Sequence, residues 1–179
     1  MNANFPWYEI AEGDELMQGD FLLNFPVIIL DNKLFHEPAK HTGHTKSHVE
    51  YYHFIILSQS CDLVANKIQK ILMAPLWTID EMAQQQPEFS GKKYSEKIRR
   101  GDIVGYHMLN KVEIPGFEMN FLVADFRNIH SFPMELVRQF ANNPQKRPRL
   151  LPPYREHLSQ AFARFMMRVG LPVDIPKFI

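Results

Sequence analysis

The chain holds one cysteine, Cys61, so no disulfide can form within it. That excludes a disulfide-stapled scaffold and fits a reducing compartment. Charge of either sign is not in excess, with 20 Lys and Arg against 20 Asp and Glu in 179 residues. A general nucleic-acid coat protein is usually basic, so that class is disfavoured. No apolar run approaches the roughly 18–20 residues that span a bilayer. The opening MNANFPWYEIAEGDE lacks the basic and apolar regions of a secretory signal. These absences lead us to expect a cytoplasmic protein with no membrane partner. There is no Gly-rich phosphate loop, no Gly-x-Ser-x-Gly elbow and no His-Glu-x-x-His. Several large enzyme classes drop out with them, and no cofactor is expected. Internal repeats and long low-complexity tracts are missing too.

What is present is a well-supplied core. Hydrophobic residues make up 45% of the chain, with 14 Phe and 9 Met. That suits one domain over residues 1–179. The balanced charge is unevenly placed. Glu9, Glu12, Asp14, Glu15, Asp20 and Asp31 crowd the start, with Lys33 the one base there. Arg138, Lys146, Arg147, Arg149, Arg155, Arg164 and Arg168 crowd the end, against Glu156 alone. An acidic front and a basic tail can attract each other in the fold or across an oligomer, or the tail can meet RNA or an acidic partner.

Along the chain, Met17–Leu30 reads as one or two strands after a Gly-Asp turn. Pro26 places a bend or an edge there, because it cannot donate to a central ladder. Asp31–Glu50 is polar and His-rich and reads as a loop. Tyr51–Ser60 and Gln69–Trp77 read as strands, rich in β-branched and aromatic residues. Ile79–Arg100 reads as a helix, a loop and a second short helix. A strand over Ile103–Leu109 follows, then a turn at Lys111–Gly116. Phe117–Ile129 reads as a long strand or hairpin arm, and Pro133–Ala141 as a short helix. Asn142–Pro153 is a basic, proline-punctuated linker held extended. Tyr154–Val169 is the best helix, with Leu158, Ala161, Phe162, Phe165 and Val169 in an apolar stripe and Gly170 as its C-terminal cap. The expected fold is α+β: a small curved antiparallel sheet or half-open barrel over residues 15–130. A helical region is inserted at 79–100, and a C-terminal helical part covers 133–172.

The most informative stretch is Tyr51–Leu63, an apolar run that turns abruptly into Ser58-Gln59-Ser60-Cys61-Asp62. A strand ending this way can present side chains at a site, or simply end. Cys61 beside Asp62 has the look of a nucleophile with a carboxylate, but a cysteine hydrolase needs a histidine base within reach. On a straight strand at ~3.3 Å per residue, His53 and Cys61 stand about 26 Å apart and form no dyad. His107 or His130 would have to approach from another strand. A free cysteine is most often just buried, which is the expectation for Cys61. Ser58, Ser60 and Asp62 are expected to cap a turn.

His41-x-x-His44-x-x-x-His48 has a spacing that metal ligands use, and would support a zinc-dependent hydrolase. Thr42-Gly43 and polar neighbours favour a solvated loop instead. The basic set around Arg147, Arg149, Arg155, Arg164 and Arg168 can contact phosphates, with Tyr154 stacking on a base, or can pair with the acidic N-terminus.

The order of segments resembles the PemK/MazF family of SH3-like-barrel toxins of bacterial toxin–antitoxin pairs. Gly19-Asp20-Phe21 stands where the family opens with a Gly-Asp-Ile strand. Tyr52-His53-Phe54-Ile55-Ile56-Leu57-Ser58 matches its Arg-Pro, aliphatics and Leu-Ser. Ile71-Leu72-Met73-Ala74-Pro75-Leu76-Trp77-Thr78 is similar to its aliphatics followed by Ala-Pro-Ile-Thr. The resemblance implies the half-open barrel. The family's cleaving arginine falls on Tyr52 and its proline on His53, while its threonine falls on Trp77, with Thr78 one residue later. A tyrosine cannot replace a guanidinium that stabilises a phosphorane-like charge. The leading expectation is therefore a non-catalytic module that binds a protein partner in a bacterial stress, toxin–antitoxin or genome-defence system. Its contacts would be Ser58, Gln59, Ser60, Cys61 and Asp62 at one site and Arg164 and Arg168 at another. The alternative is an endoribonuclease with a site rebuilt from His53, Cys61, Asp62, Thr78 or Arg127.

Overall fold

The computed structural model describes residues 5–31, 47–85, 87–143 and 146–167. In chain order they form β1 (Tyr8–Ala11), β2 (Phe21–Leu30), β3 (Ser47–Ile56), α1 (Ser60–Val64) and β4 (Lys70–Thr78). There follow α2 (Ile79–Gln85), a 3₁₀ turn (Pro87–Ser90), α3 (Lys92–Arg99), β5 (Tyr106–Leu109) and β6 (Leu122–Asp125). The described chain closes with β7 (His130–Pro133), α4 (Met134–Asn142), β8 (Arg147–Leu150) and α5 (Tyr154–Met166). The fold is α+β, with an open, curved antiparallel sheet, helices inserted after β4 and a helix at the C-terminal end, as expected. Among the described residues no helix is long and apolar enough to cross a membrane.

The main sheet runs β2-β3-β4-β6-β5, with β7 also on β4, and β1 pairs with β8 in a separate ribbon. β4 organises it. Its one edge meets β3; its other edge meets β7 over Lys70–Met73 and then β6 over Leu76–Thr78. Pro75 lies where β4 passes from β7 to β6, between the two ladders on that edge. Pro26 lies on β2, the terminal strand of this order, as its missing N–H requires. β2 also carries a bulge between Leu22 and Phe25. Asn24 takes the left-handed turn there at φ 55°, a conformation Asn tolerates better than most residues.

The bulge fixes which β2 side chains share a face. Leu22, Phe25 and Val27 point with Phe54, Ile56, Ile71 and Met73 into a core closed by Leu63 of α1 and Met134, Val137 and Ala141 of α4. On the opposite face Phe21, Ile55, Ala74, Leu76 and Ala124 pack with Leu150 and with Leu158 of α5. Phe162 and Phe165 of α5 add ring contacts to Phe126. With Ala161 they form the docking stripe that the helical spacing predicts, apart from Val169, which lies outside the described residues. Met82, Phe89 and Ile98 of the inserted region cover Tyr106 and Val123.

Several boundaries differ from the sequence reading. The expected loop over Asp31–Glu50 is strand from Ser47, because β3 pairs with β2 out to Leu30. The expected strand to Ser60 stops at Ile56, and Ser60–Val64 is helix. The long arm over Phe117–Ile129 is strand only at Leu122–Asp125. The cap expected at Gly170 lies outside the described residues.

The largest correction concerns the linker at Asn142–Pro153. Its Arg147–Leu150 segment is β8, and its arginines are not a solvated basic face. Arg147 is 3% exposed and Asp20 not at all. Arg147 Nε donates to Asp20 Oδ2 at 2.8 Å, and its Nη1 and Nη2 donate to the Gly13 and Glu15 carbonyls at 2.7 and 2.8 Å. Arg149 Nη2 donates to the same carboxylate oxygen at 3.0 Å. Lys146 pairs with Glu12 at 3.0 Å. The acidic front and basic tail thus meet within one molecule. Gly19 makes the approach possible: any Cβ there would lie 2.9 Å from Leu150 Cβ, at a φ of +88°.

Removing the buried carboxylate strands two guanidiniums. We expect Asp20→Asn to lower stability by about 3–5 kcal/mol. Urea unfolding checks this, read as a lower midpoint at unchanged slope.

Candidate functional site

The residues expected at the end of the β3 run sit on and before α1, and most of them are tied into the fold. Ser58 Oγ accepts the Leu72 N–H at 2.9 Å, and Ser60 Oγ accepts the Gln18 N–H at 3.1 Å. The hydroxyls therefore tie distant chain segments together and do not cap the local turn as expected. Gln59 Nε2 donates to Ser159 Oγ of α5 at 3.0 Å. Cys61 is exposed, not buried as expected, because it lies on a helix turn after the strand has ended. Its Sγ lies 3.8 Å from Asp62 Oδ1. The shallow cavity beside it, about 390 Å³, is lined by Gln18, Gln59, Ser60, Arg155, Glu156 and Ser159 among others. Among the described residues no histidine lines it, so no imidazole base stands beside Cys61 there.

The remaining catalytic candidates are likewise committed. His53 lies opposite the β2 bulge, where its Nδ1 accepts the Asn24 N–H at 3.0 Å. Burial lowers its pKa from the ordinary value, against a smaller pull upward from Glu81. Thr78 forms a reciprocal cap for α2. Its Oγ1 accepts the Glu81 N–H at 3.1 Å while its own N–H donates to Glu81 Oε2 at 2.7 Å. His53 and Thr78 are thus neighbours through Glu81, each with a structural task. Arg127 lies across Gly105 with its guanidinium 4.1 Å from the centroid of Tyr106, and Asp125 accepts its backbone N–H at 2.9 Å. The space beside it, about 80 Å³, is too small for most ligands. Tyr52 donates its hydroxyl to the Glu50 carboxylate, which also meets His48 Nε2 at 3.0 Å. These bonds lower the Glu50 pKa, the Tyr52 bond first. His130 stacks on Phe132 and meets the edge of Phe54, away from Cys61.

His41, His44 and Arg168 lie outside the described residues. Among those described, no three His, Cys, Asp or Glu side chains are grouped to hold a metal ion. His48 is on β3, not in a loop. Arg164 is exposed on α5, with its guanidinium near Gly101 at the end of α3.

Two features escape the sequence reading. The first is the apolar outer face of the β2–β3 arm. Pro26 opposes Tyr51 and Ile28 opposes Val49, so these side chains stand together. Ile28 is 68% exposed, Tyr51 68% and Val49 50%. A signal existed: Val27, Ile28, Ile29 and Leu30 are apolar at both parities, which exceeds what a one-sided strand needs. A groove of about 450 Å³ opens beside the bulge, lined by Leu22, Leu23, Asn24, Phe140 and Ala141 among others.

The second is a cleft of about 400 Å³ at the far side of the sheet, between β5, α5 and the end of α3. Trp7, Phe121 and Tyr154 line it together with Arg99, His107 and His157. Trp7 and Tyr154 are stacked, with centroids 3.5 Å apart and planes at 8°. Burial lowers the pKa of His107 to about 4, with smaller contributions from His157 and Arg164.

No family model, curated protein or solved structure matches the chain.

Two outcomes follow. Thr78→Ala opens the α2 cap and is expected to cost about 1 kcal/mol in urea unfolding. His107 sets an acid limit. Its folded pKa of about 4 lies below the ordinary 6.5, so the unfolded chain takes up a proton that the folded chain refuses as pH falls between those values. Stability is then full above the unfolded pKa and declines toward the folded one, by at most about 3 kcal/mol. His53 and His130, also lowered by burial, add in the same direction. Urea midpoints at a series of pH values should show the slope, and His107→Gln should flatten the larger part of it.

Proposed function

We propose that the chain is a non-catalytic binding module that holds a protein partner along the outer edge of β2 and the apolar face of the β2–β3 arm. The observation that carries this reading is the set Ile28, Val49 and Tyr51, exposed together beside a strand that has one sheet neighbour among the described residues. A strand edge offers unpaired N–H and C=O groups to an extended segment, and alternate side chains of that segment find apolar surface. Contiguous apolar surface of this kind marks interaction sites more often than ordinary solvent-facing strand. The groove at the bulge suits a large apolar side chain of the same segment.

The structural tasks of the expected catalytic candidates support the same reading. His53, Thr78 and Arg127 each serve the fold, and among the described residues no histidine lines the cavity at Cys61. The short sequence motifs that resemble the PemK/MazF family support a role in a bacterial stress, toxin–antitoxin or genome-defence system, with Tyr52 standing where that family has its cleaving arginine. The Ser58–Asp62 ledge and Arg164 then rank as secondary contacts.

The test starts from a partner captured with the full chain, identified and purified. Ile28→Glu with Tyr51→Glu should weaken its binding at least about tenfold while leaving the unfolding transition in place. Amide exchange over residues 25–30 should slow in the complex. Equal binding by the variant sinks the proposal. So does RNA cleavage on induced expression that His53→Ala abolishes.

A further inference from the structure

The cleft between β5, α5 and the end of α3 lies across the sheet from the β2 edge, and binding at that edge makes no use of it. α5 sends Tyr154, His157, Ala161 and Arg164 along one face at helical spacing, so a ring, an imidazole and a guanidinium follow in sequence beside the cleft. Tyr8, beneath it, donates its hydroxyl to the Asn110 carbonyl at 2.7 Å and holds the wall in place. Three rings and four polar side chains (Arg99, His107, Asn110 and His157) meet around a space of about 400 Å³. Small-molecule sites have this make-up: mostly apolar, with a few convergent polar groups.

The charges select the ligand. Nearby carboxylates are engaged: Glu96 accepts from Arg99 Nε at 2.8 Å, Glu156 from Arg155 Nη2 at 3.1 Å, and Asp102 meets Arg100 at 3.2 Å. Arg164 has no ion-pair partner among the described residues. The His107 ring stacks on Phe126, and its nitrogens and those of His157 have no hydrogen-bond partner among the described residues. The His157 imidazole that lines the cleft and the Arg164 guanidinium that stands beside it, about two turns further along α5, suit a dianion attached to a planar ring. A phosphate monoester carries about −1.5 to −2 charges at neutral pH and forms charge-assisted bonds to such groups. The neutral His107 imidazole offers one donor and one acceptor to a hydroxyl or a base edge.

We propose that this cleft binds a nucleoside monophosphate. Its phosphate lies toward His157 and Arg164, and its base lies against the rings of Trp7, Tyr154 and Phe121. The phosphate can belong to a free nucleotide or to the 5′ end of a strand, and the two are told apart by experiment.

The full chain is titrated with AMP, followed by calorimetry and by the ring-proton signals of His107 and His157. Adenosine and benzoate serve as controls lacking the phosphate. AMP should bind below about 1 mM and move both histidine signals. His157→Ala with Arg164→Ala should weaken it at least about tenfold. Phe121→Ala, a separate exposed change, should weaken AMP but leave inorganic phosphate unaffected. Tighter binding of a 5′-phosphorylated oligonucleotide than of AMP assigns the site to a strand end, and the reverse order assigns it to a free nucleotide. Histidine signals unmoved by millimolar AMP overturn the proposal. Adenosine or benzoate binding as tightly as AMP, or undiminished binding by the double variant, overturns it as well. None of these outcomes bears on the β2 edge, whose test uses other residues.

Discussion

Asp20 is the residue through which the two ends of the chain are joined. Its carboxylate lies in the core, at the turn that starts β2, and receives Arg147 and Arg149 from β8. A buried carboxylate is costly unless it is paired and fully hydrogen-bonded. Here the cost is offset by two guanidiniums, which in turn hold the Gly13 and Glu15 carbonyls of the N-terminal segment. The cluster does more than neutralise charge. It sets β8 beside Gly19 and so sets where α5 begins, three residues after Leu151 and its bond to the Trp7 carbonyl. The C-terminal helix then has one way to lie on the sheet, with Leu158 buried beneath it.

From that arrangement the two open sides of the sheet acquire different characters. α5 and the inserted helices close over β4, β5 and β6, where their packing leaves an aromatic-lined cleft with a few polar groups. They do not extend over the outer half of the β2–β3 arm, which therefore keeps an apolar face in the open. The bulge at Asn24 sharpens the contrast. It reverses the parity of β2, so that Phe25 and Val27 fall into one core while Ile28 stays outside. His53 stabilises the bulge by accepting its N–H. A side chain that looks like a catalytic candidate in the sequence thus serves the register of the β2–β3 arm.

The sequence showed the composition of the fold well. Strand-forming runs at Met17–Leu30 and Gln69–Trp77, the helical insertion and the docking stripe of α5 all follow from local pattern, because each is decided by periodicity within a few residues. What it hid depends on contacts between distant segments. β8 is four residues long and pairs with β1 across nearly the whole chain, so its prolines and arginines read locally as a linker. The attraction between acidic front and basic tail was visible as a possibility, but which arginines would be buried was not. The site was less legible than the fold. The cleft draws Trp7, Arg99, His107 and His157 from four separate regions, and no spacing within the chain brings them together.

The Ser58–Asp62 segment shows why an abrupt change to polar residues is an ambiguous sign. A strand that gives way to a helix must satisfy the backbone N–H groups left at the junction and in neighbouring segments. Ser58 and Ser60 do this for Leu72 and Gln18, so their hydroxyls are consumed by the change of direction itself. Small polar side chains are needed there whether or not a ligand ever arrives. Apolar residues in the open carry the opposite implication. Ile28 and Val49 satisfy no backbone group and fill no core, and leaving them in water forgoes the burial energy of two large side chains, about 1.5–3 kcal/mol each. A fold has no structural reason to place them opposite one another on an open strand face. Their exposure is the observation on which the proposed partner surface rests.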